Sequence, residues 1–158
     1  MSIKTLFFLS FLVSIVVANI RLATLTKENG SEDLPDSDKT PGVSLQGVTS
    51  EDVCTPGWAK KHRHVPEELK KRVYALYDIP THQPGEYEID HLISLELGGD
   101  NDIKNLWPQS YLTQPWNAHV KDKLENTLHK LVCNGTLELE EAQTQIAKNW
   151  IKLYKKYF

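Results

Sequence analysis

Cysteine is scarce in this chain, with two in 158 residues, Cys54 and Cys133. No Cys-x-x-Cys pair occurs, which removes a zinc site built from cysteines. Long apolar runs are also missing beyond the first residues, so no later stretch is long enough to cross a bilayer. A basic excess is lacking as well: 18 Lys and Arg stand against 21 Asp and Glu, a formal net charge of -3. Charge alone therefore does not suggest a partner rich in phosphate. No internal repeat or low-complexity tract occurs from about Cys54 onward.

What is present begins with an export signal over residues 1–18. Lys4 supplies the positive start, Leu6 to Val17 the apolar run, and Val16-Val17-Ala18 the small residues for cleavage. The apolar core is only about a dozen residues, short of the roughly 20 that a spanning helix needs. A secreted or periplasmic protein follows, with no stable membrane association after cleavage. In an oxidising compartment Cys54 and Cys133 are expected to form a disulfide, and a loop of that size contributes about 4 to 5 kcal/mol in the chain-entropy account.

Residues 19–50 hold few large apolar residues and no sustained period, which reads as a disordered linker. The folded domain is expected over 51–158. Pro66, Glu67 and Glu68 signal a first helix, carried by Leu69, Val73, Leu76 and Tyr77 and ended before Pro80. Tyr87 to Asp90 reads as a short strand, Gly98 to Asn101 as a turn, and Asn105-Leu106-Trp107 as a second strand stopped by Pro108. A helix is expected from about Pro115 to Val132 with Val120, Leu124 and Leu128 on one face. Another, after Asn134-Gly135, carries Leu139, Ala142, Ile146, Trp150 and Tyr154. The fold class is a small α+β domain: a two-stranded antiparallel ribbon and a helix, flanked by an N-terminal and a C-terminal helix.

The informative stretch is Asp90-His91-Leu92-Ile93-Ser94-Leu95-Glu96-Leu97-Gly98-Gly99-Asp100-Asn101-Asp102-Ile103-Lys104-Asn105-Leu106-Trp107. It resembles the HNH nuclease motif, in which Asp-His at a strand end is followed by a Gly-Gly turn, Asn-Leu on the returning strand, and a helix bearing Asn or His. The likeness is tight over residues 90–107 and looser to about 123. It extends in kind to exported bacterial HNH proteins with cysteines flanking the motif. What the resemblance implies is a ββα-metal fold and hydrolysis of phosphodiester bonds in DNA, or also RNA, with little sequence specificity.

The residue types suit that chemistry. An imidazole near pKa 6.5 can take the proton of an attacking water, so His91 is the candidate general base. A divalent cation answers the charge gathering on phosphate, and hard Mg²⁺ is held by one or two protein oxygens beside waters and substrate. Asp90 is the first metal ligand. Mn²⁺, Ni²⁺ or Zn²⁺ are the alternatives to Mg²⁺.

Asn105 is implied on the opposing strand, tying down the loop after His91. The third position falls to Asn117 or His119. At 100° per residue Asn117 lies near the apolar face of its helix and His119 almost opposite, which favours Asn117 while leaving His119 open. Lys121 shares the inward side and is a candidate for contact with a substrate phosphate. The runs Lys60 to His64 and Lys148 to Lys156 are candidate phosphate contacts or plain solvated faces. His62, His64, His82 and His129 read as surface or loop residues.

Alternatives remain open at this point. One is a secreted module that kept the frame but lost catalysis, binding nucleic acid or a protein without turnover. Another is a delivered toxin nuclease, which would come with an immunity partner. Nucleic acid is the expected partner, and no protein partner is evident.

Overall fold

The computed structural model describes residues 33–158. The expected export signal and the first part of the linker lie outside these residues.

The described chain is α+β, with one two-stranded antiparallel sheet and five helices. Helix α1 spans Ser50–Val53, α2 Trp58–His62 and α3 Glu67–Leu76; strands β1 Tyr87–His91 and β2 Leu106–Ser110 follow, then α4 Ala118–Cys133 and α5 Leu139–Tyr157. Two short 3₁₀ turns, Leu95–Leu97 and Ile103–Asn105, fill the path between the strands. The two short helices α1 and α2 carry no long apolar stripe to announce them. Helix α1 is started by a capping box in which Thr49 and Asp52 exchange hydrogen bonds.

Strand β2 does not stop at Pro108 but runs through it to Ser110. The register explains why. Pro108 faces Ile89, while Leu92 N donates to Asn105 O and Tyr111 N to Glu86 O. Alternation along an antiparallel pair then puts Pro108 in a non-hydrogen-bonded pair, where a missing N–H costs the ladder nothing.

The core lies between α4, α5 and the first 3₁₀ turn. It contains Leu97, Leu124, Leu128, Val132, Ala142, Ile146, Trp150 and Ile151. Each of the large aliphatic members contributes about 1.5 to 3 kcal/mol by leaving water. Helix α5 is broken at Asn149, whose backbone has φ -172° and ψ 95°. The Asn149 amide oxygen accepts from Lys152 N at 2.8 Å and so caps the restarted helix. That break resets the helical phase, and Ile151 and Leu153 turn inward with Trp150 while Tyr154 is only half-buried.

Cys54 and Cys133 are joined as a disulfide with Cα atoms 5.5 Å apart. The bond ties the end of α1 to the end of α4. Among the described residues no helix is long and apolar enough to cross a membrane.

From Asp33 to Thr49 the chain is packed rather than a free linker. Thr40 is fully buried, its hydroxyl donating to Leu106 O at 3.0 Å. Gly42 N donates to Lys104 O, Leu45 N to Gly98 O, and Asp100 N to Val43 O. Polar and small residues attach this segment through its backbone, which is why composition alone read it as unstructured.

Candidate catalytic and metal site

Strand alternation sends neighbouring side chains to opposite faces of the ribbon, so Asp90 and His91 diverge at the end of β1. On one face Asp90 stands directly across from Trp107 and takes its indole N–H on Oδ2 at 3.0 Å. The same Oδ2 meets Lys121 Nζ from α4 at 2.7 Å. Among the described residues nothing donates to Oδ1.

Lys121 is only 1% exposed, and it also donates to His91 O at 2.9 Å and to Glu125 one turn on. Burial works to lower the Lys121 ammonium, but Asp90 and Glu125 outweigh it and hold the pKa above the ordinary lysine range. Glu125 is raised as well: its burial pushes the carboxyl up despite the pull of Lys121. One ammonium is thus shared by Asp90 and a Glu125 carboxyl that tends to keep its proton. Burial, with Asp90 adding repulsion, also raises Glu88 and Asp122 nearby.

Lys121 therefore lies inward, as the helical wheel indicates, but its Nζ is engaged by protein acceptors instead of standing free for a phosphate. Its length lets it cross under the ribbon from α4. The sequence offers no sign of that, because Asp90 and Lys121 meet only through tertiary folding.

His91 faces the other way and is 2% exposed. A general base has to reach the attacked phosphate, whereas the fold packs the imidazole under the loop that carries Asn101. Its Nε2 lies 3.1 Å from Asn101 Oδ1. Burial lowers its pKa below the usual imidazole value, outweighing the Asn101 hydrogen bond and the charge of Asp90. The ring is therefore neutral at neutral pH.

Asn105 is fully buried and makes four hydrogen bonds. Its Oδ1 accepts from Ile93 N at 2.9 Å and Val43 N at 3.3 Å; its Nδ2 donates to Ile93 O at 3.0 Å and Asp100 O at 2.9 Å. It clamps the segment after His91 to the returning strand, and its four hydrogen bonds go to Val43, Ile93 and Asp100. The glycines before it are required for two different reasons. Gly98 has φ 75°, while a Cβ on Gly99 would sit 1.7 Å from Ile93 O.

Helix α4 begins three residues later than Pro115, at Ala118, and Asn117 is its N-cap. The Asn117 Oδ1 accepts from Val120 N at 3.2 Å. Asn117 is buried, whereas His119 is exposed and leans on Tyr111 with ring centroids 5.2 Å apart. Asn117 is thus the inward one of the two.

Asn101 is the residue that sequence reasoning placed merely in a turn. Its partners, His62 and His64, are 39 and 37 residues away, so no local pattern could announce it. Beyond them a cleft of about 560 Å³ opens between Arg63, His64, Lys70, Tyr74 and the β1 residues Tyr87 and Glu88.

A second cluster involves sulfur. Cys54, His129 and Cys133 bring ligand atoms within 4.8 Å of one another. The two cysteines are bonded to each other, and a disulfide is not a thiolate ligand, so the trio suits a soft cation only in a reduced chain. His129 Nε2 lies 3.0 Å from Val53 O, which keeps this histidine half-buried against α1 rather than at the surface.

The residues expected to hold a hard divalent cation are Asp90, whose Oδ1 takes no hydrogen bond from a described residue, and Asn117, whose amide oxygen caps α4. Mg²⁺ asks for no more protein oxygens than these. Glu88, Asp122 and Glu125, whose carboxyls are all raised, crowd Asp90 and Lys121, and a cation bound there would favour their ionised forms.

Comparison with protein-family models, curated proteins and solved structures returns no match.

Proposed function

We propose that this protein is an exported, metal-dependent endonuclease of the HNH type, cutting phosphodiester bonds in DNA, or also RNA. The observation that carries the reading is the order Asp90-His91, Gly98-Gly99, Asn105 on a two-stranded ribbon whose returning strand leads into a helix capped by Asn117. The disulfide is compatible with an oxidising compartment outside the cytoplasm.

In this reading the neutral His91 imidazole takes the proton of the water that attacks phosphorus. Asp90 and Asn117 would hold the cation, whose chemistry there would be to offset charge on the phosphate and the leaving oxygen. Lys121 fixes the Asp90 carboxylate by its ion pair, and Asn105 keeps the chain after His91 in place. Arg63 and Lys70 at the cleft offer positive charge to the rest of the strand.

A second reading has specific support: His91 is buried and Asp90 is already paired with Lys121. These favour a module that keeps the frame and binds nucleic acid or a protein without turnover. Plasmid digestion in Mg²⁺, Mn²⁺, Ni²⁺ and Zn²⁺ separates the two. The nuclease reading expects cutting that EDTA abolishes and that His91→Ala lowers by at least about 100-fold. Plasmid left intact in all four metals sinks it and leaves the binding module.

A further inference from the structure

Asn101 sits between two backbone groups whose polarity is fixed. Its Nδ2 donates to His62 O at 2.9 Å, and its Oδ1 accepts from His64 N at 3.0 Å. Turning the amide over would set a donor against the His64 N–H and an acceptor against the His62 carbonyl, so its orientation is determined. The same Oδ1 lies 3.1 Å from His91 Nε2. An acceptor there requires the proton to be on Nε2.

We propose that Asn101 is a positioning residue: its amide holds His91 as the Nε2–H tautomer, so that Nδ1 is the atom that accepts the proton of the attacking water, and it ties the basic segment Arg63–His64 to that imidazole. The inference rests on the nuclease reading for the role of Nδ1. In the step it describes, water oxygen bonds to phosphorus and its proton passes to Nδ1. The bond from phosphorus to the leaving oxygen breaks, and that oxygen takes a proton from solvent.

The link to His62 and His64 adds a structural consequence. One amide joins the base to the rim of the cleft that carries Arg63.

The experiment is long-range ¹H–¹⁵N correlation of the imidazoles in the whole protein at pH 8, where His91 is neutral. Wild type should give the Nε2–H pattern for His91. Asn101→Asp, which keeps an acceptor, should retain it, and Asn101→Ala should give a mixture of tautomers. Wild-type His91 protonated on Nδ1 overturns the proposal, without reliance on any variant folding. So does a folded Asn101→Ala whose pattern is unchanged. On plasmid, Asn101→Ala should lower kcat by about 100-fold with KM little altered, and Asn101→Asp should recover part of it. An Nε2–H signature in a protein that cuts nothing keeps the tautomer but overturns Nδ1 as the base, through failure of the nuclease reading alone.

Discussion

Lys121 and Asp90 form a 2.7 Å ion pair across 31 positions of sequence, with the lysine side chain 1% exposed. An ammonium so placed is shared by two acids, Asp90 and Glu125, and its removal leaves both without a cationic partner.

Replacing it tests that dependence. Lys121→Met keeps the volume and should cost about 3 to 5 kcal/mol in urea denaturation, because two buried acids lose their partner. Adding Glu125→Gln should recover part of the loss. Equal stability of Lys121→Met and wild type would show that the pair carries no net weight.

Gly99 should tolerate no side chain. A Cβ there would fall 1.7 Å from Ile93 O and 2.9 Å from Asn105 Nδ2, both fixed by the Asn105 clamp. Gly99→Ala is expected to lose about 3 kcal/mol or more. Weakened amide-exchange protection at Ile93 N would locate the damage in the clamp.

The disulfide closes a separation of 79 residues. Its reduction should lower unfolding free energy by about 4 kcal/mol, measured as a shift in urea midpoint with and without reductant. No shift would mean that the reduced, unfolded chain is already constrained.

Asp33 supplies a pH test. Burial pushes its carboxyl up to about 7, outweighing Gln109 and the Ser110 amide, and its Oδ2 is buried with no partner among the described residues. A raised pKa in the folded state means that the native form prefers the proton. The stabilisation is complete below the unfolded value of 3.8 and is lost as pH rises through about 7. Asp33→Asn should therefore match wild type below pH 3.8 and exceed its Tm at pH 8 by about 2 to 5 °C. A Tm difference independent of pH would remove Asp33 as its source.

Much of this architecture is legible from the residues because it is periodic. The Leu124–Leu128–Val132 and Ala142–Ile146–Trp150 stripes mark α4 and α5, and the alternation at Tyr87–Asp90 marks β1. Pro108 misleads because its effect depends on register, which pattern does not reveal. Asn117 is legible as inward, but its capping role appears only once the helix start is fixed. The role of Asn101 and the pairing of Lys121 with Asp90 escape for one reason: those partners lie 10 to 39 residues away and are reached by tertiary folding. His91 escapes in a different sense. Its chemistry is plain from its neighbours, whereas its burial depends on a loop whose path the sequence does not disclose.

The strap from Thr40 to Leu45 meets the carbonyls of Leu106, Lys104 and Gly98 and the Asn105 amide. Those acceptors belong to the clamp and to the ribbon's return. A version of the chain shortened to begin at Cys54 would leave them facing water beside a fully buried Asn105. The damage would show as fraying around Ile93, far along the chain from the cut and next to the imidazole.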